Sequence, residues 1–375
     1  MTTERPARIQ DLVGLVNALY PPSFAENWDN VGLQVGDPAA PLSRVVICLD
    51  PSEKALAAAQ AAGAEAVLAH HPMIFQPLKN ITPASETGRL VLAAVRAGIA
   101  FISVHTNLDR APDGLNDWLA ERLGLAAAAP LSPGGQDLVK LVVFVPAGYE
   151  EPVADTLFQG GAGQIGKYDR CSFQAAGTGT FRPGAGTTPF RGSSGETERA
   201  REVRLETILP HHRISRVVER MLKAHPYEEV AYDLIPLANR RPDVGLGRIG
   251  RLPEPTTLDL FALRVKEALG ADNLRLVGNS AAPVSKVALC GGSGASLLPE
   301  AIRQGADVLV TGDIKYHEAR SAENQGLALI DAGHFATEWL MVREVAQKLR
   351  AETLRRGLAI TFIEMEGEAE PFRWL

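Results

Sequence analysis

The stretch Gly98-Ile-Ala-Phe-Ile-Ser-Val-His-Thr-Asn-Leu-Asp109 sets both the fold and the chemistry of this chain. It joins a short apolar strand, begun at a glycine, to a histidine that stands four residues before a carboxylate. A second stretch, Gly326-Leu-Ala-Leu-Ile-Asp-Ala-Gly-His-Phe-Ala-Thr-Glu338, repeats this arrangement. One strand-end motif in two distant places predicts two similar halves.

Strands and helices alternate around both stretches. Arg44-Val-Val-Ile-Cys-Leu49 has the pattern of a buried strand, Ser52 can cap a helix that ends near Gly63, and a further apolar strand leads to His70. The last third of the chain repeats this order. Short apolar strands separated by helices predict an α/β fold: two similar α/β lobes, each with a mostly parallel sheet, in a pseudo-twofold relation.

The middle of the chain has a different pattern. Between Lys140 and Pro236 the order of strands and helices is β-α-β-β-α-β, interrupted by a Gly/Pro/Thr/Ser-rich loop from Gly177 to Gly195. This order predicts a ferredoxin-like α+β insertion. We therefore expect a first lobe over residues 1–128, the insertion over 129–243 and a second lobe over 244–375.

Composition narrows the class of protein. The 375 residues carry a net charge of −6, which argues against a nucleic-acid partner held by bulk charge. Three widely spaced cysteines imply no disulfide framework. The polar N-terminus and the lack of any apolar run of about 20 residues argue against a signal peptide and a membrane span. We expect a cytoplasmic protein.

Histidines and carboxylates gather at predicted strand ends. His70-His71 follows one strand, and the pairs His105/Asp109 and His334/Glu338 follow two others. A single His-x-x-x-carboxylate unit is more typical of a surface pair, and His70-His71 alone is equally consistent with surface or capping residues, but together the three features favour a site for two divalent ions. The predicted ligands are His70, His71, Asp109, His334 and Glu338. His105 is either a sixth ligand or a proton carrier, and the donor types suit Zn, Mn, Fe, Co or Ni.

Three further segments leave alternatives open. Asp313, His317 and Glu318 either orient metal ligands or form an ordinary acidic helix start. The glycine-rich Cys290–Gly294 segment either cradles a phosphate or makes a tight turn. The polar cluster at 26–32 around Trp28 either covers a pocket or forms a capped turn.

With these motifs in view, the chain resembles the Nif-three-like family, often labelled GTP cyclohydrolase I type 2 homologues. The matching sequence motifs begin at Asn27, His70, His105, Gly312 and Asp331 and lie in both predicted lobes. In the insertion, His225-Pro-Tyr-Glu-Glu is similar to a phrase of CutA-like and PII-like modules, which form trimers. The resemblance implies a two-metal centre at the five ligands, a toroidal homohexamer and a purine-nucleotide cyclohydrolase label.

Two hypotheses for function follow. The first is a metal-dependent hydrolase that acts on a small molecule, GTP or another nucleotide, with a metal-activated water. The second is a non-catalytic metal-binding or regulatory assembly whose insertion senses a ligand or partner. Turnover of GTP with added metal distinguishes the two.

Overall fold

The computed structural model describes residues 6–134, 138–239 and 241–373. Contacts divide the chain into two compact units: the larger runs to Gly134 and resumes at Pro242, and the middle unit lies between them. No helix within the described ranges is long and apolar enough to cross a membrane.

The larger unit contains the elements of both predicted lobes. Up to Gly134 they are β1 (Ala7–Arg8), α1 (Ile9–Leu19), β2 (Gly32–Val35), β3 (Pro41–Leu42), β4 (Arg44–Cys48), α2 (Glu53–Ala62), β5 (Ala66–Ala69), α3 (Glu86–Ala97), β6 (Ala100–Ser103), α4 (Thr106–Arg110), α5 (Leu115–Arg122) and β7 (Ala126–Pro133). The middle unit contains β8 (Leu138–Pro146), α6 (Glu150–Gly160), β9 (Ser172–Phe181), β10 (Glu198–Pro210), α7 (Ile214–Ala224) and β11 (Tyr232–Pro236). After Pro242 follow β12 (Gly245–Thr257), α8 (Leu258–Leu269), β13 (Arg275–Val277), β14 (Pro283–Ser293), α9 (Leu298–Arg303), β15 (Val308–Gly312), α10 (Tyr316–Asn324), β16 (Ala328–Asp331), α11 (His334–Glu338), α12 (Leu340–Arg356) and β17 (Thr361–Glu364).

Local sequence explains the first helices and strands. Ser52 caps α2 by accepting a hydrogen bond from the amide of Ala55, and Gly63 ends the helix in the left-handed conformation. Strand β5 is buried along its whole length. A strand covered on both faces reads as a continuous apolar run without alternation.

The larger unit has two large sheets and a two-stranded antiparallel sheet of β1 and β3. The first has the order β17-β4-β5-β6-β2, parallel except for β2. The second has the order β13-β16-β15-β14-β12-β7, with a parallel centre of β14, β15 and β16. The structure is thus a mixed α/β fold with parallel strands at the centre of each sheet. A single hydrophobic cluster contains side chains from both sheets, including Leu68, Ile102, Val287 and Ile330.

The two sheets exchange terminal strands, which the sequence did not indicate. Strand β17, near the C-terminus, pairs with β4 in the first sheet. Strand β7 pairs with β12 in the second, with Pro133 opposite Gly245. The first segment of the larger compact unit therefore extends to Gly134 and includes all of β7, whereas the predicted first lobe ends at residue 128. The organisation into three domains stays a prediction.

The middle unit is a four-stranded antiparallel sheet in the order β11-β8-β10-β9, with the predicted succession of strands and helices. Strand β9 begins and ends later than the predicted strand over 168–175. Gly177 to Phe181 were expected in a loop, but they pair with Glu202 to Glu198 of β10. The ladder of backbone hydrogen bonds overrides the weak strand propensity of glycine at this edge. The long connection is therefore 182–197.

Candidate metal centre

The centre lies at the carboxyl ends of β5 and β6 of the first sheet and of β16 of the second. His70 and His71 follow β5, the helix α4 follows β6 with His105 at its N-cap, and α11 follows β16. The carboxyl ends of strands in α/β sheets are the usual place for ligands. The structure brings the predicted residues together there: His70, His71, His105, Asp109, His334 and Glu338.

Glu338 lies at the middle of the cluster. Its Oε2 is 3.0 Å from Nε2 of His71 and 3.0 Å from Nε2 of His334, and those two nitrogens are 3.3 Å apart. Its Oε1 is 3.7 Å from Nε2 of His70, which is 3.5 Å from Oδ1 of Asp109. Each oxygen of this carboxylate thus faces a different group of donors.

In each of the four histidines of the cluster, the Nδ1 atom contacts an oxygen outside it. Nδ1 contacts Asp50 Oδ1 in His71 (2.7 Å), Asp313 Oδ2 in His334 (2.7 Å), Asp29 Oδ1 in His105 (2.9 Å) and the Val104 carbonyl in His70 (2.8 Å). An imidazole that donates its Nδ1 proton outward presents the Nε2 lone pair inward. This pattern of oxygen acceptors behind the rings is typical of metal-binding histidines.

Two buried ligand atoms of the cluster, Nε2 of His70 and Oδ1 of Asp109, make no hydrogen bond within the described chain. Oε2 of Glu338 is buried beside the two histidine nitrogens at 3.0 Å. His70 is 0% exposed and Glu338 is 4% exposed. Buried polar atoms are nearly always satisfied, and leaving one unsatisfied costs about 1–3 kcal/mol. Lone pairs converging on a point shielded from water are what a cation requires.

The spacing of the donors fits an ion. Nitrogen and oxygen ligands at about 2.0–2.2 Å from Zn lie roughly 2.9–3.5 Å from each other, depending on coordination geometry. The distances of 3.0, 3.0 and 3.3 Å among His71, His334 and Glu338 fall in that range. His70, His71 and His105 form a second group, in which one ring nitrogen of each residue lies within 4.8 Å of the others. The donor set therefore fits divalent metal.

Electrostatics favours positive charge at the centre. The hydrogen bond and charge of Glu338 raise the pKa of His334 to about 9. Burial alone would lower the pKa of His71, but Asp50 and Glu338 raise it to about 10. Burial would raise the pKa of Glu338, yet the surrounding histidines hold it well below its usual range. Burial beside Glu338 raises the pKa of Asp109.

The glycine-rich segment supports the centre through close packing. The hypothesis of a tight turn was wrong, because β14 continues through Ser293. The phosphate hypothesis is also not supported, since the amides of Gly291, Gly292 and Gly294 donate to Asn116, Thr337 and Thr311. Gly292 has a φ of +58°, and a Cβ there would lie 2.0 Å from Oε1 of Glu338. The glycine admits the central carboxylate.

The segment after β15 contributes one of its three candidates. Asp313 holds His334, as an orienting partner should. Glu318 instead accepts the amide of Lys315 and caps α10, which is the ordinary helix-start alternative. The His317 ring packs against Tyr316. Only Asp313 among the three lies at the cluster within the described chain.

The polar segment around Trp28 borders the centre. Asp29 binds His105 and accepts from the amide and hydroxyl of Thr106. Burial would raise the pKa of Asp29, but these hydrogen bonds lower it to about 2. The Trp28 ring, 58% exposed, lies 5.8 Å from the ring of Phe75. Trp28 also lines a cavity of about 420 Å³ with His105, Asp109 and Glu338.

Sequence reasoning missed Asp50 altogether and did not single out Asp29. Both act through a histidine that is distant in sequence, so no spacing pattern reveals them. One pattern was available for Asp50, since it follows β4 at the same strand-end position that His71 occupies after the neighbouring strand β5.

The fold and site define a mixed α/β protein with a buried histidine–carboxylate cluster. A family model described as Duf34/NIF3 (NGG1p interacting factor 3) matches residues 7–371. Relatives named GTP cyclohydrolase 1 type 2 homolog are 40% identical in Bacillus subtilis and 42% in Halalkalibacterium halodurans, each over 98% of both chains. The chain belongs to the DUF34/NIF3 family.

Solved structures agree with this assignment. A Bacillus cereus protein related to NIF3 has a TM-score of 0.89 at 39% identity and covers 99% of this chain and 100% of its own. A Staphylococcus aureus protein has a TM-score of 0.78 at 30% identity, covering 99% of each chain. The similarity of the middle unit to CutA-like modules rests on the sequence motif His225-Pro-Tyr-Glu-Glu229.

Proposed function

We propose that this chain is a metal-dependent hydrolase that acts on a nucleotide through a dinuclear centre. The observation that carries the proposal is the cluster of buried histidine and carboxylate ligand atoms that converge around Glu338, among which Nε2 of His70 and Oδ1 of Asp109 make no hydrogen bond within the described residues. Membership of a family whose relatives are named GTP cyclohydrolase 1 type 2 homolog supports the nucleotide as substrate class.

The position of Glu338 favours a site for two ions over a site for one ion. Its Oε2 faces His71 and His334, whereas its Oε1 faces His70, which lies beside Asp109. A carboxylate placed in this way would hold two ions and offset part of their charge. We assign the five predicted ligands to this pair: His70, His71, Asp109, His334 and Glu338.

Bound divalent ions lower the pKa of a coordinated water toward neutrality and polarise the substrate. The protein supplies proton transfer and orientation. His105 faces the cluster, and Asp29 holds its Nδ1, so the carboxylate stabilises the ring when it carries a second proton. His105 in that role moves a proton to or from the reacting group. In its other role, it adds a sixth ligand beside His70, whose ring centroid lies 5.2 Å from its own.

The neighbouring cavity suits a nucleotide in size and lining. Its volume of about 420 Å³ lies in the range of small-molecule sites. Trp28 offers an aromatic face for a base. Arg110, which pairs with Glu26 at 3.0 Å, and Ser293 offer a cation and a hydroxyl for polar groups of the substrate.

A turnover screen tests the proposal. Protein loaded separately with Zn, Mn, Fe, Co or Ni is offered GTP and other nucleotides, and products are separated by chromatography. We expect metal-dependent turnover that Glu338→Gln abolishes and that Glu267→Gln, on the exposed side of α8, preserves. Stoichiometric metal without turnover of any nucleotide would overturn the hydrolase and favour the non-catalytic assembly.

His105→Gln separates its two roles in the same assay. A variant that keeps its metal but loses turnover supports the proton carrier. A variant that loses an ion supports the sixth ligand.

A further inference from the structure

A second cavity lies in the middle unit, on the sheet face opposite its helices. Val143, Val145 and Leu205 form the core with α6 and α7. Side chains alternate along a strand, so Phe144 and Glu202 point to the other face. Both line a cavity of about 420 Å³. The proposed hydrolase does not use this space.

Aromatic rings form much of its wall. Tyr227 lies between Phe181 and Phe190, with ring centroids 5.9 Å from each. All three residues line the cavity, as does Phe144. Grouped aromatic faces offer both apolar contact and a negative quadrupole.

A buried carboxylate stands beside the rings. Glu202 is 9% exposed, and its Oε1 accepts the hydroxyl proton of Tyr227 at 2.9 Å. Burial and Glu202 together raise the pKa of Tyr227 to about 12, so the hydroxyl stays a donor at neutral pH. Gly179 makes room for this carboxylate, since a Cβ there would lie 2.0 Å from Oε2 of Glu202.

The connection 182–197 completes the wall. It is organised by its own hydrogen bonds, including Gly195 amide to the Pro183 carbonyl at 2.8 Å. The Thr188 amide donates to both oxygens of Glu228 at 3.1 and 3.2 Å, which fastens the connection to the segment after α7. A long loop fixed over a cavity is typical of a binding site.

The charge around the cavity selects the ligand. Three glutamates line it, Glu202, Glu228 and Glu229, against Arg182 among the described lining residues, and the guanidinium of Arg191 lies 5.8 Å from the centroid of the Phe190 ring. Three carboxylates against these two cations still leave a net negative charge. Net negative charge beside aromatic faces disfavours anions such as phosphates and favours organic cations. We propose that this cavity binds a small organic cation, an alkylated ammonium whose charge lies near Glu202 and whose apolar body contacts Phe181, Phe190 and Tyr227.

Binding to the full-length protein tests this proposal with a matched pair of probes. They are choline and its uncharged tert-butyl analogue, in which carbon replaces nitrogen, titrated at millimolar concentrations and followed by ligand-observed NMR. We expect saturable binding of choline and at least about tenfold weaker binding of the analogue, which corresponds to about 1.4 kcal/mol. Equal binding of the two, or binding of neither, would overturn the proposal.

Variants locate the site. Glu202→Gln keeps an acceptor for Tyr227 but removes the charge, and we expect it to weaken choline binding about tenfold or more. The control is Glu206→Gln on the same strand, whose carboxylate instead pairs with Lys140 at 2.8 Å. If choline binding weakens equally in both variants, or weakens in neither, the assignment of the site is wrong.

Phe190→Leu provides a second test that spares the carboxylate. It keeps apolar volume but removes a π face, so binding of choline should fall more than binding of the tert-butyl analogue. Circular dichroism and metal content, which should match the unmodified protein, check that each variant is folded. Equal effects on both probes would exclude a role for the ring.

Discussion

At the residue scale, spacing and strand ends predicted six residues that the structure brings together, because a histidine and a carboxylate four residues apart share one helix face. The residues behind them could not be predicted in this way. Asp50 and Asp29 reach His71 and His105 only through the fold. Sequence spacing reports local geometry, whereas the outer partners depend on which strands become neighbours.

The outer carboxylates should control metal affinity without being ligands. Asp313→Asn removes the charge behind His334 but tolerates the local backbone, whose φ of +58° suits Asn better than most residues. We expect roughly 10–100-fold weaker metal binding in a chelator competition. The control is Asp259→Asn, at an exposed position at the start of α8, and it should leave the metal affinity unchanged. Unaltered affinity in Asp313→Asn would mean that this contact does not orient a ligand.

The metal-free protein should lose stability as pH rises. The folded pKa values of His334 and His71, about 9 and about 10, exceed the ordinary 6.5. A raised folded pKa gives stability that is complete below about pH 6.5 and is lost as pH rises through about 9 to 10. Urea unfolding between about pH 6.5 and 10 measures this loss as a fall in the free energy of unfolding of the metal-free protein.

Stabilisation by added metal should instead increase with pH, because protons compete with the metal for the same histidine nitrogens. A metal-free stability that rises over this window would contradict the arrangement of charges.

At the element scale, the alternation of strands and helices predicted the α/β character of both sheets and the strand and helix order of the middle unit. Three pairings escaped prediction. Strand β7 pairs with β12 and strand β17 with β4, although each lies far from its partner in sequence. Gly177 to Phe181 form strand because β10 pairs with them. Propensity describes a segment alone, and pairing is decided by partners.

The close approach of β14 to Glu338 should be required for metal binding. Gly292→Ala places a Cβ 2.0 Å from Oε1 of Glu338 in addition to straining a φ of +58°. Gly305→Ala is the matched control, since its φ is +68° and nothing lies within 4 Å of a Cβ. Backbone strain should cost each variant about 1–2 kcal/mol of stability, and the contact with Glu338 should add to the loss in Gly292→Ala. Only Gly292→Ala should lose metal, measured by elemental analysis. Equal metal content in the two variants would show that the contact is dispensable.

At the scale of the whole molecule, the middle unit should be removable and should add to assembly. The Gly134 amide donates to the Val244 carbonyl at 2.6 Å, so an Asn-Gly turn can replace residues 135–243 between them. We expect a folded protein that keeps its metals. On the family resemblance, light scattering should report a hexamer for the full chain and a smaller assembly for the deletion. Loss of metal on deletion would make the unit integral to the centre, and a monomeric full chain would refute the hexamer.

The metal content of the full-length protein and of Glu338→Gln tests the central claim most directly. Glu338→Gln keeps the size of the side chain that faces both groups of donors but removes its charge. Elemental analysis after metal loading and desalting should give two divalent ions per chain for the unmodified protein and one or none for the variant. Asp109→Asn should cost one ion at most. Two ions in both proteins, or none in the unmodified one, would contradict a dinuclear centre bridged by Glu338.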